Sequence, residues 1–374
     1  MFGARGVGKT GLARRYFERI GEPLISYDFL KFDVYERYLK NPSLFRAELE
    51  FEAKKRKHPV WVWVNEVQKI PVLLDEVHTL MESHKGKFRF LLMGSSARKL
   101  KRGGANLLAG RALSLKLHPL THLEAPGSLD TFLKWGSLPG MIIDQEQQAL
   151  ALKSYVSTYL KEEIFQEALV RRIDGFSRFL EVAGQYHGES IDASAIAKVA
   201  GVTSQTVADY IQILEDTMLA WRLPGWSASV KKQLRTRSKL YLFDNGIANA
   251  LRGELGIELK ESSSRYGKLF ECWVIQELFR LNDYQQWDYK FSYWKTNTDV
   301  EVDVVVSRGA GSPIAAIEIK SSTEPTSKDL RGLKIFHDEY PKARLMVLCR
   351  TAKPYSIDGI DILPWTTLSN LGDF

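Results

Sequence analysis

Residues 3–10 read Gly3-Ala4-Arg5-Gly6-Val7-Gly8-Lys9-Thr10 and match the phosphate-loop (Walker A) pattern G-x-x-x-x-G-K-[ST]. In such a loop, backbone N–H groups surround the β-phosphate, the lysine reaches the β and γ oxygens, and the hydroxyl takes one Mg²⁺ position. Apolar residues at helical spacing follow, so the phosphate would lie at a helix N-terminus. We therefore expect ATP and Mg²⁺ to bind here. The expected binding residues are Gly3, Gly6, Gly8, Lys9 and Thr10, with Thr10 also a Mg²⁺ ligand.

The segments around the loop predict an α/β domain over residues 1–145. Strand-like and helix-like segments alternate there, which favours a sheet with helices on both faces. A phosphate loop normally follows a buried strand, and only Met1 and Phe2 precede this one. We expect either that the domain has lost its first strand or that the true start lies upstream.

The apolar run over residues 60–64 ends in Asn65-Glu66, where a phosphate-loop ATPase carries its second acidic motif. An Asp at the first position usually holds the Mg²⁺ water shell, and the Glu activates the attacking water. Asn65 keeps an oxygen but lacks the charge, so we expect a weakened metal ligand, whereas Glu66 can still orient water. The alternative is an apolar strand that ends in a polar turn.

Two further residues are candidates at the nucleotide site. Ser95 follows a strand-like run over residues 88–93, where a polar side chain can touch the γ-phosphate or its water. Arg111, in Leu108-Ala109-Gly110-Arg111, can supply a cation to the transition state, as an arginine finger does. The alternatives are a simple turn at Ser95 and a solvated side chain at Arg111.

Residues 146–188 show helical periodicity and predict a helical connector, and residues 189–260 predict a winged-helix domain. Residues 190–223 have helix-turn-helix proportions, with a turn at Gly201 and a cap at Thr203 or Ser204. The second helix carries acidic residues, so we do not expect it to read DNA sequence. A basic stretch follows where a wing would contact the DNA backbone, although a domain used only for protein packing is an alternative. Its residues are Lys231, Lys232, Arg235, Arg237 and Lys239.

Residues 261–374 predict an α/β domain with the element order of the restriction-endonuclease-like core. A helix over residues 267–281 precedes a hairpin around residues 297–299 and a strand over residues 314–320. Asp303 and Glu318 can then hold Mg²⁺, Lys320 can polarise the attacking water, and Glu271 would complete the acidic cluster. A buried structural ion pair is the alternative.

Segments throughout the chain resemble one family. The segments "FGARGVGKTGL", "VNEVQKIPVLLDEV", "LLMGSSARKLKRGGANLLAGRA" and "LKWGSLPG" are similar to the AAA-type ATPase domain of an uncharacterised prokaryotic family whose C-terminal half is a domain of unknown function. The resemblance continues through "YLKEEI", "FSRFLEVA", "YLFDNGIANAL", "EVDVVV" and "AIEIKSS", and so covers essentially the whole chain. It implies an ATP-binding domain followed by the predicted winged-helix and nuclease-like domains, and it supports the fold more than an activity.

Composition restricts the class of protein. The 374 residues, with 44% hydrophobic and 26% charged residues, are typical of a globular protein of two or three domains. The apolar runs are shorter than the roughly 18–20 residues that span a bilayer, and two cysteines without C-x-x-C spacing favour a reducing cytoplasm. The net charge of +7 is concentrated in basic runs, which makes DNA a plausible partner.

We therefore expect a cytoplasmic ATPase whose nucleotide state controls its action on DNA, with a Mg²⁺-dependent nuclease module. The alternative function is a nucleotide-bound switch or scaffold for a protein partner that cleaves nothing. The possibility of a homo-oligomer is left open, and no membrane partner is expected.

Overall fold

A computed structural model describes residues 1–96, 111–125, 127–144, 146–160, 173–229, 233, 236–309 and 311–372. These residues form two compact units. Unit 1 comprises residues 1–118 with 216–218, and unit 2 comprises residues 119–215 with 219–374. Within the described ranges, no helix has both the length and the apolar character that crossing a membrane requires.

Unit 1 is built on a parallel sheet with the strand order β1-β2-β3. Its elements, in chain order, are α1 (Lys9–Ile20), β1 (Leu24–Asp28), α2 (Phe32–Lys40), α3 (Ser43–Lys55), β2 (Val60–Asn65), a 3₁₀ turn (Val67–Lys69), α4 (Leu73–Ser83) and β3 (Phe88–Leu92). Because parallel strands need crossover connections, the helices between them are required by the topology. The predicted alternation of strands and helices is confirmed.

The core of unit 1 lies between the sheet and the helices α2, α3 and α4. Val62 and Val64 of β2 are completely buried against Phe45, Leu49 and Val77 of these helices. The intervening Trp61 and Trp63 lie on the other face, where they pack near Phe17 of α1. The strand alternation therefore assigns the phosphate-loop helix to one face of the sheet and the other three helices to the opposite face.

Unit 2 begins with helices and a small sheet. Its first elements are α5 (Leu129–Trp135), α6 (Pro139–Ile143), α7 (Gln148–Ser154), a π-helical turn (Tyr155–Tyr159), α8 (Ile173–Gln185), β4 (Glu189–Ser190), α9 (Ala193–Ala200), α10 (Ser204–Asp216), β5 (Ala220–Leu223), β6 (Lys239–Leu242) and α11 (Asn245–Leu251). The strands β4, β6 and β5 form an antiparallel sheet in that order.

The predicted turn between two helices is confirmed. Gly201 ends α9 with a φ of 67°, a left-handed conformation that glycine adopts without a steric penalty. The Thr203 hydroxyl then accepts a hydrogen bond from the Thr206 N–H at 3.1 Å and caps α10. Apolar residues on the inner face of α10 are buried. They are Val207, Tyr210, Ile211 and Leu214.

The rest of unit 2 is a six-stranded mixed sheet with the order β11-β12-β10-β9-β8-β7. Its elements are α12 (Ser264–Gln285), β7 (Tyr289–Lys295), β8 (Glu301–Arg308), β9 (Pro313–Ile319), α13 (Arg331–Glu339), β10 (Arg344–Cys349), β11 (Tyr355–Ile357), β12 (Ile360–Pro364) and a final 3₁₀ turn (Trp365–Asn370). The predicted helix, hairpin and strand are confirmed in this order. The helix is longer than predicted, because it begins directly after the Ser263 cap and continues to Gln285.

Alternating residues of this sheet face two cores. Val304 and Ile317 pack with α12 on one face, whereas Val305 and Ala316 pack on the other face with Phe336 of α13. The sheet is therefore buried on both sides, which explains the near-continuous apolar runs that predicted these strands.

His187 is a completely buried polar residue that joins three parts of unit 2. Its Nδ1 accepts a hydrogen bond from the Leu242 N–H at 3.0 Å, so the ring proton belongs to Nε2, which donates to Asn245 Oδ1 at 2.9 Å. Asn245 in turn donates to the Leu269 carbonyl of α12 at 2.9 Å. Burial lowers the pKa of His187 to about 3, so the folded protein holds the neutral ring.

This burial predicts a loss of stability in mild acid. The imidazole titrates near 6.5 when unfolded but near 3 when folded, so its contribution is complete above pH 6.5 and falls as the pH drops from 6.5 towards 3. The free energy of unfolding should fall by about 1.4 kcal/mol per pH unit in this window from His187 alone. Urea unfolding at pH 7.5 and 5 should show a smaller pH effect in His187→Gln. The control His337→Gln, at an exposed position of α13, should keep the natural pH effect.

Candidate functional site

The phosphate loop lies at the N-terminus of α1. Gly6 and Gly8 have φ values of 84° and 94°, so the loop needs glycine at both positions to turn its backbone. Lys9 is buried, and its ammonium donates to the Gly3 carbonyl at 2.7 Å and to the Ala4 carbonyl at 3.0 Å. These bonds hold the positive charge over the loop, beside the N-terminal end of the helix dipole, where an anion is favoured.

The loop leaves the sheet at Phe2. This residue forms parallel bridges with Gly94, which follows β3, and with Lys116. A Cβ atom at Gly3 would lie 2.2 Å from the Leu117 carbonyl oxygen, so only glycine fits this close approach. Phe2 thus pairs with the sheet directly before the phosphate loop begins. The loop therefore starts at the edge where the parallel strands have their carboxyl ends.

Asn65 lies at the end of β2 on this edge and is only 2% exposed. Its amide Nδ2 donates to Asp28 Oδ1 at 2.9 Å, and Asp28 ends the neighbouring strand β1. Asn65 Oδ1 is buried and has no hydrogen-bond partner among the described residues. A buried acceptor without a donor is costly, so this oxygen fits a role as a ligand to a cation or its bound water. Thr10, the other predicted Mg²⁺ ligand here, is half-buried at the start of α1.

Glu66 follows with a φ of 59°, a left-handed conformation that is uncommon outside glycine and that costs of the order of 1 kcal/mol. Its Oε2 accepts a hydrogen bond from Gln68 Nε2. The same nitrogen donates to Ser95 Oγ at 3.1 Å. The structure therefore brings the two predicted residues Glu66 and Ser95 together through a third residue.

Sequence reasoning missed Asp28 and Gln68. An acid directly after the strand-like residues 24–27 could have indicated Asp28, because the carboxyl ends of parallel strands meet at one edge. Gln68 carries no comparable signal, since its place depends on the 3₁₀ turn after Glu66.

Arg111 is not brought to this edge. Its guanidinium pairs with Glu82 Oε1 at 2.9 Å and contacts His78, both on the C-terminal half of α4. Because α4 runs back from the end of β2 towards the start of β3, this half lies towards the opposite edge of the sheet. The structure therefore does not support a transition-state contact between Arg111 and a nucleotide bound at the phosphate loop of the same chain.

Asp303 and Glu318 lie together on the adjacent strands β8 and β9, and both are buried. Asp303 Oδ2 accepts the Ile319 N–H at 2.8 Å, and Lys320 Nζ donates to Glu318 Oε1 at 2.5 Å. Burial, and then the charge of Glu271, raises the pKa of Asp303 to about 6. Burial, and then the charge of Asp303, raises the pKa of Glu318 to about 8, and Glu318 Oε2 has no hydrogen-bond partner among the described residues. The pair is short of positive charge, which fits a cation site.

Glu271 of α12, predicted to complete this cluster, has other partners. Its Oε1 lies 3.6 Å from Lys239 Nζ and accepts the Tyr241 hydroxyl at 3.1 Å, whereas its Oε2 lies 3.4 Å from Lys268 Nζ. Burial by itself would raise the pKa of Glu271, but the two ammonium groups hold it below its usual value. Lys239 also pairs with Glu301 and is almost completely buried. A lysine of β6 thus neutralises the acid that was predicted to bind metal.

Across the part of the chain that the structure describes, no three His, Cys, Asp or Glu side chains lie close enough to hold one metal ion together. The prediction of a three-carboxylate cluster with Glu271 is therefore not met, because Lys239 and Lys268 already compensate this carboxylate. A cation at Asp303 and Glu318 would need further ligands from water or from a substrate phosphate.

Three family models match consecutive parts of the chain. Residues 1–125 match an AAA domain, residues 127–261 match a domain of unknown function (DUF8612), and residues 266–368 match a second domain of unknown function (DUF4143). The amino-terminal part is therefore an AAA-type phosphate-loop domain, and two domains of unknown function follow it. The match supports an ATPase type of function and the nucleotide and Mg²⁺ binding that such domains usually show.

The chain is also similar to uncharacterized proteins of three bacteria. It is 26% identical over 275 residues to proteins of Mycobacterium tuberculosis and Mycobacterium bovis. These matches cover 72% of this chain and 61% of each relative. The chain thus spans less than two thirds of the length of these two relatives. A protein of Haemophilus influenzae is 20% identical over 384 residues, with 96% of this chain and 91% of the relative covered.

Among solved structures, the chain is similar to the Aeropyrum pernix ORC1 protein in complex with DNA. The two are 15% identical, and the match covers 68% of this chain and 85% of the other. The TM-score is 0.24, so this likeness carries no argument about fold or function.

The contacts of Lys239 predict its role in stability. Lys239→Met should lower the free energy of unfolding by about 3 kcal/mol, because Glu271 and Glu301 each lose the buried one of the two ammonium groups that compensate them. A second change, Glu271→Gln, should restore part of the loss in urea unfolding. The control Lys290→Met, at an exposed position of β7, should have little effect. Equal stability of Lys239→Met and the natural chain would show that the ion pairs contribute nothing.

Proposed function

We propose that this protein is an ATP-binding AAA-type ATPase whose nucleotide state controls its action on DNA. The observation that carries the proposal is the arrangement at the carboxyl edge of the unit 1 sheet. There Lys9 is held over the phosphate loop, Asn65 Oδ1 is buried without a partner, and Glu66 and Ser95 share a hydrogen-bonded link. Bound Mg²⁺ would neutralise phosphate charge as the γ-phosphoryl group is transferred.

Different residues of this site would bind the phosphates, hold the cation and orient the attacking water. The loop amides, Lys9 and the start of α1 bind the phosphates, and Gly3 allows the loop to pass Leu117 closely. The Thr10 hydroxyl and the Asn65 amide oxygen would hold the cation, and Asp28 fixes the amide so that its oxygen is available. Glu66 would orient the attacking water, and Ser95 would contact the γ-phosphate.

Substitutions at Lys9 and Asn65 test this proposal. Lys9→Ala should weaken ATP binding by about 100-fold, which corresponds to loss of one charge-assisted contact of about 3 kcal/mol. Asn65→Asp should raise ATP turnover in the presence of Mg²⁺, because a second carboxylate beside Asp28 strengthens the cation site. Fluorescence binding of an ATP analogue and phosphate release measure the two effects, with Lys57→Ala at an exposed position as control. Unchanged ATP affinity in Lys9→Ala would remove the site from the proposal.

The DNA partner is proposed from the middle of the chain. The order α8, β4, α9, α10, β5 and β6, with an antiparallel sheet of three strands, supports a winged helix. The segment between β5 and β6 would be its wing. Of the basic residues assigned to it, Lys231, Lys232 and Arg235 lie outside the described residues, whereas Arg237 is 63% exposed in its side chain and pairs with Asp192 at 2.9 Å. Exposed charge there can contact a phosphate backbone without reading its sequence.

DNA binding should therefore be electrostatic. Affinity for a duplex of random sequence should fall steeply with salt, and the double change Lys231→Glu with Arg237→Glu should reduce both the affinity and the salt dependence. Fluorescence anisotropy at several salt concentrations measures both. The control Lys342→Glu carries a charge reversal at an exposed position of unit 2. If the double variant binds as the natural chain does at low salt, this segment is not the DNA surface.

A second candidate function is a metal-dependent nuclease in the C-terminal domain. It is favoured by Asp303 and Glu318, two buried carboxylates with raised pKa values, and by Lys320 beside them. The two carboxylates would hold a divalent cation, and Lys320 would position or polarise the water that attacks a phosphodiester. The alternative, a nucleotide-bound scaffold for a protein partner, has no comparable site among the described residues.

A cleavage assay tests the nuclease candidate. With Mg²⁺ or Mn²⁺, the natural chain should cut DNA, and Lys320→Ala should lower the rate at least tenfold, because one charge-assisted contact contributes about 1.5–3 kcal/mol. The control Lys328→Ala, at an exposed position, should cut as the natural chain does. Equal cleavage by natural chain and Lys320→Ala would assign the activity to a contaminant.

A further inference from the structure

Gln68 is the side chain that links the two polar residues of the nucleotide site. It lies in the 3₁₀ turn that follows Glu66 and is only 4% exposed. Its Nε2 contacts both Glu66 Oε2 and Ser95 Oγ, and the second contact measures 3.1 Å. A carboxylate can only accept hydrogen bonds, so the amide nitrogen, and not its oxygen, must face Glu66. The orientation of the amide follows from this chemistry.

The position of Gln68 is fixed by its surroundings. A Cβ atom at Gly94 would lie 2.1 Å from Gln68 Oε1, so the amide fits only because residue 94 has no side chain. Gly94 itself is held in the sheet by its bridge to Phe2, the residue from which the phosphate loop starts. Gln68 Oε1 is buried without a hydrogen-bond partner among the described residues. A buried amide oxygen without a donor costs free energy. That the site nevertheless has an amide here indicates that the two N–H groups of Gln68 are needed.

The two hydrogen bonds have consequences for ATP chemistry. Gln68 donates to Ser95 Oγ, so the hydroxyl hydrogen of Ser95 remains available to donate to an anionic oxygen such as that of a γ-phosphate. Gln68 also holds one oxygen of Glu66, which otherwise extends from a strained left-handed residue. The direction of the Ser95 donor and the position of the Glu66 carboxylate are therefore set by one amide.

We propose that Gln68 is the positioning residue of the ATPase site, which aligns Glu66 with the attacking water and Ser95 with the γ-phosphate. The inference rests on the proposed ATPase function and extends it to a residue that acts through its hydrogen bonds to Glu66 and Ser95. Because Gln68 acts through Glu66 and Ser95, its loss lowers turnover while ATP binding by the loop and Lys9 stays intact. A residue with a merely structural role would lower both or neither.

The experiment compares Gln68→Glu with the natural chain. Glu has nearly the same size as Gln, so no cavity is created. An ionised Glu has no hydrogen to donate, so the hydrogen bond to Glu66 is lost. We expect kcat to fall at least tenfold, the loss typical of an outer residue that orients a reacting group, and the Kd for an ATP analogue to change less than about twofold. Thr79→Ala, which removes a hydroxyl bonded only to its own helix, is the matched control and should leave both constants unchanged.

Gly94→Ala and a double-mutant cycle provide independent readouts. Gly94→Ala should displace the amide and reproduce the kcat loss, although Gln68 itself is unchanged. Gln68→Ala and Ser95→Ala should be strongly non-additive in kcat, because both remove the same link. Natural kcat in Gln68→Glu, or additive effects in the cycle, would overturn the positioning role.

The outcomes also separate this inference from the proposed function. If ATP turnover by the natural chain is too slow to measure, the same substitutions are made in the Asn65→Asp variant, and turnover is measured there. If that background binds ATP but shows no turnover, the positioning role is overturned while nucleotide binding stands. If the natural chain and Lys9→Ala both fail to bind ATP, the proposed function itself fails.

Discussion

Neutralisation of charge along the buried helix α12 is the constraint on which unit 2 depends. Glu277 and Arg280 are both almost completely buried and pair at 2.9 Å. Glu277 also accepts hydrogen bonds from His122, and Arg280 donates to Ser137 and to the Phe243 carbonyl. Removing one partner of such a pair typically costs about 3–5 kcal/mol, so segments far apart in the chain are held by this one helix.

The same constraint explains why the acid cluster of unit 2 is divided. Glu271 also lies on α12, and its charge is compensated by Lys239 and Lys268. On the neighbouring strands, Glu318 accepts a hydrogen bond from Lys320, and Asp303 accepts one from the Ile319 N–H. One half of the cluster therefore stabilises the packing of β6 on the helix, and the other half places two buried carboxyl groups side by side with Lys320 next to Glu318. The proposed cation site is confined to that second half.

Unit 1 obtains its site by a different route. Three parallel strands end at one edge, and the phosphate loop starts at the same edge from Phe2. Polar residues at the carboxyl ends of different strands therefore lie close together because the strands are parallel. The Asp28 carboxylate accepts a hydrogen bond from the Asn65 amide, so the last residues of two neighbouring strands are joined at this edge. The proposed ATP chemistry is thus distributed over strand ends, whereas the proposed nuclease chemistry lies within a sheet.

The sequence by itself determined the phosphate loop, the alternation of unit 1, the turn between α9 and α10 and the order of helix, hairpin and strand after residue 263. These features depend on local patterns of glycine, apolar spacing and turn residues. It also paired Glu318 with Lys320, because side chains two residues apart in a strand share a face. Only the tertiary structure decided the partners of Glu271 and Arg111 and the link through Gln68. Long charged and polar side chains pair with whatever the fold brings near, and that proximity is not encoded in local spacing.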